Sequence, residues 1–294
     1  MKFGYLAKKD KYSSSNWSID ILPKIKSYKE LKTDLYYIEK GWIYPRIEHI
    51  DFKGGKYPLK PSPWFRPLKD CSHEIKVSLS SFSEEDTNLL ILYFGFLNGL
   101  HLLPEGWGYL YRTAIEPGKL VSFVCFQRQI VWLVDQSIMT IKNSSPKIKK
   151  LLYAMLNWFL IGQSYYKEYE RFEAEYRIID IAYRIETFKG NASSCSHAER
   201  IIKLANIYSL FIPNWAIINS KSKVSIISEA RNELIHEAMY NSQPIGMSYR
   251  DDNLSLELTR YNELIILRNF GADSQHFKAP DRIMDLGFVL MLTS

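Results

Sequence analysis

Residues 147–188 decide the fold of the second half of the chain, and they read KIKKLLYAMLNWFLIGQSYYKEYERFEAEYRIIDIAYRIETF. Apolar residues recur here at helical spacing, and charged residues occupy the other faces. This period is that of an amphipathic α-helix with one buried face. The sequence therefore predicts two long helices, one over residues 147–165 and the other over residues 166–188.

Three further helices are predicted downstream, over residues 197–209, 222–240 and 253–269. Ser196 suits the N-cap of the first of them, and Glu199 occupies its capping-box position. Proline-containing breaks at 213–214 and 243–246 separate the later helices. Five helices on short loops favour an up-and-down bundle, so residues 144–294 are predicted to form an all-α domain.

Residues 1–143 lack this continuous helical pattern and are predicted to form an α+β domain. Ser83 and Asp86 resemble a capping box in front of an apolar helix over residues 84–98. Strands are predicted over residues 109–115, 120–127 and 130–141, the first two as a hairpin around a Glu-Pro-Gly turn at 116–118.

Composition indicates a folded protein, since 46% of the 294 residues are apolar and 14% are aromatic. Residues 1–15 are polar and rich in lysine, which predicts no cleavable signal peptide. The longest apolar stretch, residues 89–103, is too short to span a bilayer. The cysteines are three and far apart, which fits a reducing compartment. We therefore expect a cytoplasmic protein without a membrane segment.

Neither the charge distribution nor the placement of possible metal ligands points clearly to a binding site. The net charge is +6, and residues 1–80 hold 16 Lys and Arg against 9 Asp and Glu. These lysines are spread out, which favours solubility over nucleic-acid binding. Cys71 and Cys195 each precede a histidine by two positions, at His73 and His197. Structural zinc sites use longer spacings, so unrelated loop segments are favoured and no metal or cofactor is expected.

Two other patterns are interpreted as structural. A second Arg-Asn pair at 268–269 is followed by His276, but the intervening polar run is expected to end the helix. Tyrosines at helical spacing favour packing or an interface over base stacking, and they are Tyr165, Tyr166, Tyr169, Tyr176 and Tyr183.

Residues 230–240, ARNELIHEAMY, contain the candidate catalytic groups. Arg231 supplies a permanent, forked cation suited to a phosphate. After a gap of four residues, His236 supplies a side chain that takes and gives protons near neutral pH. An ordinary pair of partly exposed residues on an amphipathic helix is the alternative that spacing alone does not exclude.

The predicted helix over residues 222–240 sorts these residues into three faces. A core face holds Ile227, Ala230, Leu234 and Ala238, and a solvated face holds Glu229, Glu233 and Glu237. The third face mixes polar and apolar side chains: Arg231, Asn232, Ile235, His236 and Met239. Asn232 and His236 are four apart and are expected to hydrogen-bond. Arg231 and His236 are five apart, about 140° around the axis, and are not expected to stack directly. The long Arg231 side chain is nevertheless expected to reach round to the same cleft.

The third face indicates that the protein is a dimer. A helix usually buries one stripe, so Ile235 and Met239 on a second stripe indicate that this face is covered by another helix or another subunit. We therefore expect Ile235 and Met239 to line a cleft between two copies of the chain. The site in one chain is then incomplete.

The motif in its helical context resembles the HEPN superfamily, whose signature is Arg, four to six residues, then His, with a polar residue directly after the Arg. Arg231, Asn232 and His236 match those positions, and the resemblance covers residues 146–294. Catalytic members are metal-independent endoribonucleases that act as dimers. Several serve in anti-phage defence, toxin–antitoxin modules or abortive infection.

The resemblance implies a role for each matching residue. His236 would act as general base or acid on the ribose 2′-hydroxyl or the leaving oxygen. Arg231 would hold the scissile phosphate, and Asn232 would position either Arg231 or His236. The implied product is a 2′,3′-cyclic phosphate.

The resemblance also implies partners and leaves two rival functions open. RNA would be the substrate, and the N-terminal domain would recognise a phage protein, a host protein or an antitoxin and regulate the nuclease. The first rival is a non-catalytic HEPN module that binds RNA or a nucleotide in the same pocket. The second is an adaptor whose helical bundle only dimerises.

Overall fold

The computed structural model describes residues 1–23, 37–44, 47–50, 56–59, 66–67, 71–109, 112–247 and 254–273. These residues form a mixed α and β fold with antiparallel sheets. The chain divides into two compact units, Met1–Ile138 and Met139–Ser294. His276, which follows the second Arg-Asn pair, lies outside the described residues.

The first unit contains the longest sheet, with five antiparallel strands in the order β10-β1-β9-β3-β2. In chain order the strands of this unit are β1 Lys2–Gly4, β2 Tyr12–Ser13, β3 Trp17–Ile21, β4 Tyr37–Glu39, β5 Trp42–Tyr44, β6 Ile47–Ile50, β7 Lys56–Leu59, β8 Arg66–Pro67, β9 His73–Val77, β10 Leu103–Pro104, β11 Gly108–Tyr109 and β12 Thr113–Ala114. Trp17 and Ile19 of β3 and Ile75 of β9 are buried on alternate positions, as expected for a sheet with one covered face.

The apolar helix predicted over residues 84–98 is confirmed as α1, Glu84–Leu97. Ser83 Oγ accepts from the Asp86 backbone N–H, and the Asp86 carboxylate accepts from the Ser83 backbone N–H, so the capping box is present. Phe94 of α1 lies edge-on to Phe3 of β1 and Tyr12 of β2. The core of this unit therefore lies between α1 and the five-stranded sheet.

Two strand predictions in this region are wrong. Residues 120–127 form no hairpin, because β12 pairs with β5 instead, and the chain after the 116–118 turn is held at the end of α1 by Leu120 N–H donating to Gly99 O. Residues 130–141 lie in helix α2, Gln127–Asn143. Ile130, Val134, Ile138 and Ile141 are all buried. Their spacing of four, four and three is helical, and the β-branched composition concealed it.

The second unit is helical in most of its described residues. Its helices are α3 Pro146–Gly162, α4 Glu168–Phe188, α5 His197–Tyr208, α6 Ile226–Asn232 and α7 Leu254–Asn269, with a 3₁₀ turn at Asn214–Ala216 and a π turn at Glu233–Glu237. The predicted long pair is confirmed in α3 and α4, which pack against each other, and α7 packs against α4. Ser196 and Glu199 form the predicted capping box of α5. Within the described residues, no helix is long and apolar enough to cross a membrane.

A buried carboxyl group links three of these helices. Glu175 of α4 is fully buried. Its Oε1 accepts from Gln163 Nε2 at 2.5 Å and from Thr259 Oγ1 at 3.0 Å, and its Oε2 accepts from Asn262 Nδ2 at 2.6 Å. Burial raises the pKa of this carboxyl to about 7, although the three hydrogen bonds act in the opposite direction. Glu175 therefore connects α4 to the end of α3 and to α7.

Replacing Glu175 by glutamine is expected to change how stability depends on pH. The carboxyl titrates at its ordinary 4.5 in the unfolded chain and has a raised pKa of about 7 in the folded chain. Between these values the unfolded state releases a proton that the folded state keeps. The contribution of Glu175 to the free energy of unfolding is therefore fully present below pH 4.5 and is lost as the pH rises to about 7. Relative to Glu175→Gln, the unsubstituted protein should lose about 3 kcal/mol of unfolding free energy across this window, measured by urea denaturation.

The matched control is Glu173→Gln, an exposed carboxylate on the same helix. It should leave the pH dependence of the unsubstituted protein in place. Parallel curves for the unsubstituted protein and Glu175→Gln would show that Glu175 does not titrate in this range in the folded chain.

Candidate functional site

The segment with the predicted catalytic residues is shorter and more tightly turned than the sequence predicts. Helix α6 begins at Ile226, after Ser225 and Ser228 cap each other's backbone N–H groups. It continues into the π turn, which the Ala238 N–H closes by donating to Glu233 O. The predicted helix over residues 222–240 is therefore wrong at both ends.

The helix ends where it does because the chain must reverse to bury Tyr240. Ala238 adopts a left-handed conformation with φ of 52°, and β13 Met239–Tyr240 then pairs with β14 Gln243–Pro244. Tyr240 is fully buried, with its ring 5.7 Å from that of Phe172 and its hydroxyl donating to Glu168 Oε1 at 3.1 Å. Both contacts are to α4. Tertiary packing on α4 thus overrides local helix propensity.

The hairpin moves two predicted residues off the motif helix. Ala238 was expected in the core but is exposed, and Met239 lies on a strand, so it shares no helix face with His236. Ile227, Ala230 and Leu234 are buried as predicted. The hairpin tip is bonded to the π turn, since Glu233 accepts from the Ser242 backbone N–H and hydroxyl, each at 3.2 Å.

The π turn brings Arg231 and His236 into direct contact. Arg231 Nη1 donates to His236 Nε2 at 3.0 Å. The Arg231 side chain was expected to reach round the helix without stacking directly on His236. The π turn brings the two closer than that, because a π turn closes between positions i and i+5 and an α turn between i and i+4. Arginine has no lone pair to offer, so Nε2 must be the acceptor and carries no proton in this conformation.

Asn232 contacts Arg231 and not His236. Its Oδ1 accepts from Arg231 Nη1 at 3.2 Å, so the expected Asn232–His236 hydrogen bond is wrong. The amide therefore positions the guanidinium. One nitrogen of Arg231 is shared between the amide of Asn232 and the imidazole of His236.

Arg231 lines a small cleft between α4 and the motif segment, and its contacts Asn232 and His236 lie next to this cleft. The cleft has a volume of about 70 Å³ and is partly open to solvent. The motif segment contributes Arg231, Leu234 and Ile235 to the walls of the cleft. Helix α4 contributes Phe172, Glu173, Tyr176, Arg177 and Asp180. Ile235 is 42% exposed. The described residues of one chain therefore leave this apolar side chain uncovered.

The cleft is rich in cations, of which Arg231 differs from the others. Arg177 pairs with Glu173 at 3.1 Å, and Arg200 of α5 pairs with Asp180. In the part of the chain that the structure describes, Arg231 forms no ion pair with a carboxylate. Its guanidinium is held by neutral groups and is available to an anion.

A second histidine, at the start of α5, lies beside two residues that line the cleft. His197 Nδ1 lies 3.4 Å from Tyr176 Oη and 3.7 Å from Asp180 Oδ1. Burial, followed by the positive charges of Arg200 and Arg231, lowers the pKa of His197. Burial raises the pKa of Tyr176.

Sequence reasoning missed this group of α4 and α5 residues. Tyr176 and Asp180 are one helical turn apart on α4, but such a pair is common on amphipathic helices and carries no specific signal. His197 drew attention only through its spacing from Cys195. The contact between α4 and α5 that places it beside Tyr176 depends on tertiary packing, which residue spacing does not encode.

The paired Cys-x-His patterns lie in the two different units of the chain. His73 is buried, its Nδ1 lies 2.9 Å from Ser72 Oγ, and burial lowers its pKa to about 4. Among the described residues, neither Cys71 nor Cys195 takes part in a disulfide bond. Among the described residues, His, Cys, Asp and Glu form no group of three or more placed to hold a metal ion.

No protein-family model, curated protein or solved structure matches this chain.

Proposed function

We propose that this chain is a metal-independent endoribonuclease of the HEPN type, with residues 144–294 as a mainly helical nuclease domain. Within the described part of this domain, the expected all-α fold is corrected only by the short β13–β14 hairpin. The observation that carries the proposal is the contact between Arg231 and His236 at the edge of a cleft. RNA cleavage through the 2′-hydroxyl requires a cation to hold the phosphate and a group that transfers protons. Arg231 pairs with no carboxylate among the described residues, and the Nε2 of His236 can transfer a proton once Arg231 releases it. Their separation of 3.0 Å lets both act on one phosphodiester.

Substrate binding would separate the two side chains. A phosphodiester offers the guanidinium two charged oxygens, which are better acceptors than a neutral imidazole. Arg231 then stabilises the charge that develops on phosphorus, while Asn232 keeps its guanidinium oriented through the Nη1–Oδ1 bond. Nε2 of His236 is released to exchange a proton with the 2′-hydroxyl or the leaving oxygen. Attack by the 2′-oxygen produces a 2′,3′-cyclic phosphate and a 5′-hydroxyl.

Exposed apolar side chains around the motif support a homodimer. Ile235 at the cleft and Ile226 at the start of α6 are both about half exposed, and Met247 just after β14 is 80% exposed. A second copy of the chain would cover such side chains. Ile235 belongs to this proposed interface, and Met239 would join it from the hairpin.

The remaining parts of the proposal concern cellular role. The N-terminal α+β domain, residues 1–143, would recognise a phage protein, a host protein or an antitoxin and control the nuclease. The chain would then act in the cytoplasm in anti-phage defence, abortive infection or as a toxin. RNA is the proposed substrate of the helical domain.

The direct test incubates the purified full chain with RNA in excess EDTA. We expect cleavage that leaves a 2′,3′-cyclic phosphate and a 5′-hydroxyl, identified by mass spectrometry of the fragments. A substrate with a single 2′-deoxy nucleotide at the mapped cleavage position should be uncut there, because the nucleophile is missing. Mapping of RNA 5′ ends in cells that express the chain locates that position.

The outcomes separate this function from its rivals. Ends with a 5′-phosphate, or cleavage that EDTA abolishes, would contradict the proposed chemistry. Binding of RNA with no cleavage would favour the non-catalytic HEPN module. A dimer that neither binds nor cleaves RNA would favour the adaptor.

A further inference from the structure

Cleavage through the 2′-hydroxyl needs two proton transfers, and the motif supplies one histidine. One group must remove the proton of the 2′-hydroxyl, and another must protonate the departing 5′-oxygen. Arg231 cannot serve as either, because its guanidinium stays charged. A second titratable side chain must therefore reach the same cleft.

His197 is the titratable side chain that the structure places next to the cleft lining. It contacts Tyr176 and Asp180, and both of those residues line the cleft together with Arg231. The Tyr176 and His197 rings lie 6.2 Å apart, so the imidazole is packed in place. The side chain of His197 is about one-third exposed, which leaves an edge accessible to a ligand.

We infer that His197 of the same chain is the second proton-transfer residue, acting as general base on the 2′-hydroxyl while His236 is the general acid. This inference rests on the proposed ribonuclease function and assigns the two roles that the motif leaves open. The active site of one chain then contains both proton-transfer groups, with Arg231 next to them.

The surroundings of His197 fit the role of base. An acceptor-only carboxylate oxygen of Asp180 faces Nδ1, which favours a proton on that nitrogen and leaves a lone pair on Nε2. The charged and titratable groups that face His197 come from three elements: Tyr176 and Asp180 of α4, Arg200 of α5, and Arg231 and His236 of the motif segment. Burial and the nearby cations lower the pKa of His197, so the imidazole is neutral and can accept a proton at neutral pH.

The surroundings of His236 fit the role of general acid once a phosphate binds in the cleft. In the resting cleft the Arg231 cation occupies Nε2 and holds that nitrogen unprotonated. Once Arg231 turns to the phosphate, Nε2 is free and an anion lies beside it. Substrate binding therefore leaves Nε2 of His236 facing the phosphodiester, where the imidazole can give a proton to the leaving oxygen.

The step balances without any added reactant. Nε2 of His197 takes the proton of the 2′-hydroxyl, and the 2′-oxygen forms a bond to phosphorus. The bond from phosphorus to the 5′-oxygen breaks, and that oxygen takes the proton of His236. The products are the cyclic phosphate, a 5′-hydroxyl, a protonated His197 and a neutral His236, and solvent exchange restores both histidines.

The test compares His197→Gln and His236→Ala in the full chain on two substrates. One is an RNA with the natural 5′-oxygen at the cleavage position, and the other carries a 5′-sulfur there. A thiolate leaves without being protonated, so loss of the general acid matters little on the sulfur substrate. We expect His236→Ala to recover to within about tenfold of the unsubstituted protein on that substrate, while His197→Gln stays roughly 10²-fold slower on both. The acidic limb of the pH–rate profile should be lost in His197→Gln.

Asn206→Ala, an exposed change near the end of the same helix, is the matched control and should leave rate and pH profile unchanged. Thermal unfolding of each variant separates loss of fold from loss of chemistry. Normal cleavage by His197→Gln with an unchanged pH profile would overturn the inference while the proposed function stands. Recovery of His197→Gln on the sulfur substrate would overturn the assigned roles. No metal-free cleavage by the unsubstituted protein would remove the proposed function itself.

Discussion

Replacing His236 by alanine is expected to lower the rate of RNA cleavage by a factor of about 10²–10⁴, the range that a positioned proton-transfer group contributes. The imidazole is exposed and its hydrogen bond in the resting cleft is to Arg231. Surface changes of this kind alter stability by roughly 0.5 kcal/mol or less. The loss should therefore be one of chemistry, measured as single-turnover cleavage with the fold checked by circular dichroism.

The π turn provides a matched control in Glu237→Ala. Glu237 is the next residue and is also exposed. The Glu237→Ala variant should cleave RNA at the rate of the unsubstituted protein. If His236→Ala also cleaves at that rate, His236 is not a proton-transfer group and the catalytic assignment fails.

Replacing Phe172 by alanine is expected to destabilise the helical unit by about 3–5 kcal/mol, as for other large-to-small changes of a buried aromatic residue. Phe172 of α4 has no exposed surface, and its ring contacts those of Tyr176 and Tyr240. The substitution removes the surface on which Tyr240 closes the hairpin after the motif. Urea denaturation should show the loss, together with a fall in Tm of roughly 10 °C.

Phe188→Ala tests whether burial explains this effect. Phe188 is the last residue of α4 and is 40% exposed, with Lys147 Nζ lying 3.7 Å from its ring centroid. Its loss should lower the unfolding free energy by about 1 kcal/mol, the scale of an exposed cation–π contact. Equal losses from Phe172→Ala and Phe188→Ala would contradict the packing described here.

Local sequence signals predicted the elements that depend on local forces. Ser83 and Ser196 mark helix starts because a capping hydroxyl and a carboxylate three positions on satisfy the first N–H groups of the helix. The long pair α3 and α4 followed from the apolar period alone. Helix α2 was mistaken for a strand because Ile130, Val134 and Ile138 have high β propensity, although their spacing is helical.

The site was predictable in its chemistry and not in its geometry. Arg231, Asn232 and His236 were identified by residue type and spacing, but their contacts depend on a turn that forms because Tyr240 is drawn onto α4. The opposite wall of the cleft comes from Tyr176 and Asp180, more than fifty positions earlier in the chain. Residue spacing along one helix contains no information about such a wall.

The π turn also constrains how the motif can change in length during evolution. Removing one residue from positions 233–235 would convert the turn into an ordinary α turn and leave three residues between the arginine and the histidine. These two side chains would then be four apart and would still lie on the same face. A single codon deletion would thus keep the two side chains on one face, although the gap of three residues would be shorter than the four to six of the HEPN signature. The separation of arginine and histidine in divergent chains should accordingly vary together with the type of helical turn between them.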